Sequence, residues 1–97
     1  MFINIMEFPP VLEGRDQEFR DWFAASNEAY ARFPGFVSRR LMKARDEGGG
    51  YVVLIEHESH ETFMRMHHSP ERDQAWKKAL PLLAGKPKPR FYEVIGG

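Results

Sequence analysis

The strand-like stretches of this chain are apolar on both of their alternating faces. Successive side chains of a strand point to opposite sides of the sheet. In "YVVLIEHE", Tyr51 to Glu58, one set holds Tyr51, Val53 and Ile55 and the other holds Val52 and Leu54. In "FINIMEF", Phe2, Met6 and Phe8 oppose Ile3 and Ile5, and near the end Phe91 and Ile95 oppose Tyr92 and Val94. A sheet made of such strands needs cover on both sides.

The rest of the chain supplies one covering layer. Phe2 to Phe8 is a short apolar run stopped by Pro9-Pro10, which favours a strand. From Arg15 to Phe33, Phe19, Trp22, Phe23, Ser26, Tyr30 and Phe33 recur at helical steps, with Gly14 at the start, Asp16 and Glu18 in the first turn and Pro34-Gly35 at the end. Phe36 to Ala44 and Tyr51 to Glu58 flank "RDEGGG", the pattern of an antiparallel hairpin. Ser59 caps a helix from His60 that carries Phe63, Met66 and His67 on one side. Ser69-Pro70 interrupts it and restarts a helix, because proline at the first helical position lacks only a donor that would be orphaned anyway. Trp76, Ala79, Leu80 and Leu83 form its apolar stripe, Gly85 closes it, "KPKP" runs extended, and Arg90 to Ile95 reads as a last strand.

The order predicts one α+β domain over residues 1–97 with the ferredoxin-like βαββαβ arrangement: a four-stranded antiparallel sheet with two helices on one face. The other face, on the order of 400 Å² at ~4.8 Å strand spacing, is about the largest apolar patch a monomer leaves exposed. Pairing two copies there removes about 800 Å² from water, worth up to roughly 20 kcal/mol against association costs of about 4 to 15 kcal/mol. Ser38 and Glu93 are expected to lower the apolar share of that face. A homodimer through the open sheet face follows.

Charge and composition narrow the functional classes. Lys plus Arg and Asp plus Glu number 14 each, so no strong field steers the chain to nucleic acid or to a membrane surface. With no cysteine there is no disulfide, thiolate ligand or cysteine nucleophile. No apolar run approaches the roughly 20 residues of a spanning helix, and "MFINIMEFPP" has no basic segment leading into an apolar signal core, so the expected location is cytoplasmic.

The candidates for chemistry are few. "HETFM" is not the HExxH zinc pattern, and His67 and His68 are adjacent and so point about 100° apart on a helix. His60 and His67 lie about 10 Å apart along the helix axis, too far to share an ion, so no metal is expected and the histidines read as ordinary, partly exposed residues. Asn4 is the one neutral amide in an apolar strand and must find a partner in protein, water or ligand, which makes it the best single binding candidate. Phe63, Met66 and Trp76, with Trp22 and Phe23 from the first helix, line the space between helices and sheet, as packed core or as a pocket in which the two tryptophans wall a planar ligand. Arg39 and Arg40 face opposite sides, Arg40 on the side of Phe36 and Met42, and read as rim charges. Neither a nucleophilic triad nor a phosphate loop can be read from the residue order.

Taken together, "EGRDQEFRDWF", "FPGFVSRRL", "YVVLIEHESHETFMRMHHSP" and "AWKKALPLLAGKPKPRFYEV" resemble the antibiotic biosynthesis monooxygenase domain of the dimeric α/β-barrel superfamily, over essentially the whole chain. The resemblance implies either a cofactor-free oxygenase of reduced aromatics, a haem-degrading or haem-binding protein, or a dimeric ligand-binding module without activity. Haem-degrading members use a first-strand Asn and a Trp and His on the second helix. Asn4 matches that Asn only with an insertion after the strand, an ungapped alignment placing Glu7 there; Met66 stands for the Trp, and Ala75 or Trp76 for the haem-ligating His. The oxygenase alternative implies an electron-rich aromatic or quinol-type substrate that itself reduces O₂, with no cofactor. In it Asn4 bonds the substrate oxygen, Trp22 and Trp76 clamp its plane and His67 exchanges its proton.

Overall fold

In the computed structural model, which describes every residue except Glu47 and Gly49, the chain forms β1 (Phe2–Glu7), α1 (Asp16–Tyr30), β2 (Phe36–Lys43), β3 (Tyr51–His57), α2 (His60–His67), α3 (Pro70–Ala79), a 3₁₀ turn (Leu80–Leu82) and β4 (Lys88–Glu93). The strands make one antiparallel sheet in the order β2-β3-β1-β4, as the βαββαβ reading requires. Of the expected hairpin loop, Glu47 and Gly49 lie outside the described residues; Ala44 N–H donates to Gly50 O at 2.9 Å across it.

Burial alternates along the strands, and it separates the two faces. Phe2, Asn4 and Met6 on β1 and Tyr51, Val53, Ile55 and His57 on β3 are buried beneath the helices. Ile3, Ile5, Val52 and Leu54 are half-buried on the opposite, helix-free side. Met42 and Tyr92, on that side by strand pairing, are 39% and 46% exposed. One polar corner interrupts this surface, where Glu56 accepts from Ser38 Oγ at 2.6 Å and from Arg40 at 3.0 Å.

Local signals explain the helix ends. Ser59 Oγ accepts from Thr62 N–H at 3.1 Å while Thr62 Oγ1 accepts from Ser59 N–H at 3.3 Å, a reciprocal cap at the start of α2. Ser69 Oγ accepts from Arg72 N–H at 3.2 Å and Pro70 occupies the first position of α3. Gly35 adopts φ +85°, and a Cβ there would overlap the Thr62 side chain. This close approach, sealed by Glu58 N–H to Gly35 O at 2.8 Å, pins the start of β2 to the start of α2.

Four expectations change in detail. A β-bulge between Phe36 and Ser38 puts an extra residue in β2, so Phe36 pairs with His57 on the helix side while Arg40 and Met42 face the open side. Glu93 pairs with Phe2 and so belongs to the helix side; Ser38 stays on the open face, where Glu56, Arg40 and Arg90 also lie. The last strand runs Lys88–Glu93 rather than from Arg90 to Ile95, so Val94 and Ile95 fall beyond it; Pro89 is tolerated there because β4 is an edge strand. Leu80 is 45% exposed, since the tighter 3₁₀ turn rotates the chain and sends Leu82 and Leu83 inward instead.

Candidate active site

A cavity of about 390 Å³ lies between the α2–α3 break and strands β1 and β4, lined by Asn4, Met6, His67, Arg72, Trp76, Leu80, Lys86, Pro87, Pro89 and Phe91. Its size falls within the usual range for small-molecule sites, and its walls are largely apolar with a few polar groups, the composition such sites have. Leu80, Lys86 and Phe91 are exposed and form its outer parts. Asn4, on a central strand, is 1% exposed at the inner end.

A small inner cavity of about 20 Å³ shares Asn4, Met6, His67, Arg72 and Trp76 with the larger one and adds Tyr30, Arg39, Phe63 and Met66. Three polar atoms of its lining residues, Asn4 Oδ1, Tyr30 Oη and Arg39 Nε, are buried without any hydrogen-bond partner. Native domains of this size leave only a few such groups, and three of this chain's gather around one cavity. They make it a place that takes something polar, a water or a ligand group.

Sequence reasoning missed Arg39. Arg39 pairs with Ile55 on the helix side, under α1, so it is 7% exposed and no rim charge. Its Nη1 donates to Ser26 Oγ at 2.8 Å, Asn27 Oδ1 at 2.9 Å and Phe23 O at 3.4 Å, and its guanidinium carbon lies 4.2 Å from the Phe23 ring centroid and 4.7 Å from that of Tyr30. Among the described residues no carboxylate pairs with it. Burial lowers its pKa to about 10, which still leaves it a cation at neutral pH. Burial also raises the Tyr30 phenol above its ordinary value, so Tyr30 remains an O–H donor.

His67 is the imidazole on the main cavity. Its ring stacks on Phe63 one turn earlier, with centroids 5.5 Å apart. Burial first, then the charges of Arg72 and His68, lower its pKa, with Asp73 acting weakly the other way. The ring is therefore neutral at pH 7 and can accept a proton. His57 and His60 lie elsewhere: His57 is wholly buried, bonded through Nδ1 to Thr62 Oγ1 at 2.8 Å, so the expectation of partial exposure fails for it. Among the described residues no three histidines and carboxylates gather to hold a metal ion.

Of the other expected lining residues, Trp76 borders both cavities and Phe63 and Met66 border the inner one. Trp22 and Phe23 border neither. The Trp22 and Trp76 rings pack on each other with centroids 5.7 Å apart, and Trp22 Nε1 donates to Ala75 O at 2.8 Å. A ligand ring inserted between them would need about 7 Å, twice the contact distance of carbon atoms. The tryptophan clamp is thus a single aromatic wall, Trp76 held from behind by Trp22. Haem does not fit the residues present either. Ala75 and Trp76 hold the turn where a ligating His is expected, and both are committed to packing with Trp22.

Comparison with known proteins gives a consistent result. The family model described as antibiotic biosynthesis monooxygenase matches residues 1–78. Deoxynogalonate monooxygenase of Streptomyces nogalater is 34% identical over 59 residues, 61% of this chain and 50% of its own length, so the match spans about half of that relative. Among solved structures, SnoaB of Streptomyces nogalater, described as a cofactor-independent oxygenase, superposes with a TM-score of 0.78 at 24% identity, covering 99% of this chain and 92% of that one. A structure from Deinococcus radiodurans named for the same family superposes with a TM-score of 0.86 at 14% identity, covering 100% and 95%. At these identities the superpositions establish the fold.

Proposed function

This chain belongs to the antibiotic biosynthesis monooxygenase family, and we propose that it oxygenates an electron-rich aromatic or quinol-type small molecule without a cofactor, as a cytoplasmic homodimer. The observation that carries this reading is the pairing, on one largely apolar cavity, of a neutral imidazole, His67, with a buried amide, Asn4, whose Oδ1 has no partner among the described residues. The activities named for deoxynogalonate monooxygenase and SnoaB support it.

The chemistry follows from what each group can do. A reduced polycyclic aromatic such as an anthrone has a CH₂ made acidic by the ring carbonyl. His67 takes one of its protons, and the Asn4 amide, both donor and acceptor, bonds the oxygen onto which the charge delocalises. The carbanion passes electrons to O₂ and a C–O bond forms, giving a peroxide. Loss of water then leaves a carbonyl, so that one oxygen atom of O₂ enters the product and the other leaves as water. The cavity contributes position and dryness, with Trp76 as the flat wall against which the rings lie. No metal is required to balance the electrons, since the substrate is the reductant.

The open sheet face supplies the dimer contact in this reading, with Ile3, Ile5, Val52 and Leu54 at its centre. β4 has both faces exposed in the single chain, with Phe91 50% and Tyr92 46% exposed. Oxygen uptake with a panel of anthrones and hydroquinones tests the proposal. Uptake above background that falls at least tenfold in Asn4→Ala is expected; background rates throughout would leave a non-catalytic binding module.

A further inference from the structure

The charges around the two cavities are one-sided. Arg39, Arg72 and Lys86 line them and, among the described residues, no aspartate or glutamate does, in a chain whose acidic and basic residues number 14 each. Arg72 Nη1 lies 3.8 Å from the exposed Asp73, a weak pairing, and Arg39 has no carboxylate among the described residues. A buried guanidinium without a counter-charge is costly, and such a group persists where its partner arrives with a ligand.

Resting on the reading of this cavity as a substrate site, we infer that the substrate carries an ionised ring hydroxyl, apart from the CH₂ whose proton His67 takes, with its single anionic oxygen seated in the inner cavity on Arg39 Nε–H and Tyr30 O–H. The direction of the free donors supports an anion. Arg39 has its Nη1 tied to α1 and leaves Nε unpaired, while Tyr30 Oη is unpaired and its carrier is 3% exposed. The other groups around Arg39 and this cavity are Ser26 and Asn27 of α1, which are neutral, Arg72 of α3, which is positive, His67, which is neutral, and Asn4, whose NH₂ can turn to an anion in place of its unpaired Oδ1. The inner space, about 20 Å³, is narrow and is walled by Phe63, Met66 and Trp76 besides its polar groups, so only the tip of a ligand enters it. A phenolate oxygen on a planar aromatic body is the chemistry that fits. Arg39 is thus a specificity-determining residue that selects substrates bearing an ionised ring hydroxyl, while the C–H proton is left to His67.

para-Nitrophenol, whose phenol and phenolate differ in absorption, tests this without any oxygen chemistry, beside para-nitrobenzoate as the two-oxygen anion. The bound nitrophenol is expected to titrate at least one pH unit below the free compound, so that phenolate binds about tenfold or more tighter than phenol. Arg39→Met should abolish that preference, Tyr30→Phe should weaken it, and nitrobenzoate should bind at least tenfold more weakly than nitrophenolate. An unchanged or raised titration in the native protein overturns the inference, whether or not the variants fold. So does absence of nitrophenol binding, equal binding of nitrobenzoate, or an undiminished preference in a folded Arg39→Met protein. A lowered titration with no oxygen uptake on any anthrone would uphold the anion site and remove the oxygenase; uptake unchanged in Arg39→Met would do the reverse.

Discussion

The guanidinium of Arg39 lies 4.7 Å from the ring centroid of Tyr30, and Nε of the one and the hydroxyl of the other both stay without a hydrogen-bond partner in the same buried region. The pair is polar chemistry placed where packing alone would prefer apolar side chains. Its cost to the fold is a consequence that can be measured.

Arg39→Met should therefore leave thermal stability unchanged or raise it. Methionine fills a similar length of cavity and removes a desolvated charge, while the loss of three bonds from Nη1, partly retained by Ser26 Oγ to Phe23 O at 2.9 Å, works against the gain. The net change should be no worse than about 1 kcal/mol of destabilisation in a denaturant titration. A loss of about 3 kcal/mol or more would mean that Arg39 is there to hold the fold.

Activity should fall on the acid side with a midpoint below the ordinary imidazole value of 6.5, because the folded protein lowers the His67 pKa. Burial lowers it most, then the charges of Arg72 on α3 and of His68 beside it, while Asp73 acts the other way. The base form is present above the lowered value and is lost as pH falls through it. A pH profile of kcat/KM reads this limb, and His67→Gln should remove the limb together with most of the rate.

His57 gives a separate acid sensitivity, in stability. Burial lowers its pKa, so between its folded value and 6.5 the unfolded chain binds more protons than the folded one. Stability is fully present above pH 6.5 and is lost as pH falls toward the folded value. Melting temperatures measured from pH 7.5 down to pH 5 should decline, and the decline should be shallower in His57→Gln.

Gly35→Ala should destabilise by about 2 to 4 kcal/mol, read by chemical denaturation, because the new methyl meets Thr62 at a backbone angle that L residues avoid. Adding Thr62→Ser should recover part of this, by removing one of the three atoms in the way.

Sedimentation should give a particle of twice the 11.3 kDa chain mass. Leu54→Glu, which buries an unpaired charge at the centre of the open face, should return it to the single-chain mass.

Most of the fold was legible in the sequence because it rests on local signals. The Ser59 and Ser69 caps, Pro70 and the glycine turn at Gly35 each act within a few residues, and they gave the elements in order. The site was less legible because it depends on what packs over each face. Alternation from Ser38 turns Arg39 to the helix side, but nothing in "FVSRRL" tells that α1 covers it there. A buried arginine next to an exposed one reads the same in sequence as two rim charges. Tyr30, Arg72, Lys86 and Phe91 joined the cavities from four different segments, and nothing local in the sequence groups them. Asn4 stood out because a lone amide in an apolar strand is an anomaly at any register. Trp22 was misplaced for the opposite reason: two helical tryptophans can face a ligand or each other, and here the indole bond to Ala75 O holds them together.

The proposed oxygenation is tested most directly by mass spectrometry of the product formed from an anthrone under isotopically heavy dioxygen, with the protein first treated with a chelator. One heavy oxygen atom in each quinone formed, at a rate the chelator does not alter and Asn4→Ala lowers at least tenfold, is the result expected. Product carrying no heavy oxygen, or formed only while a metal is present, would contradict it.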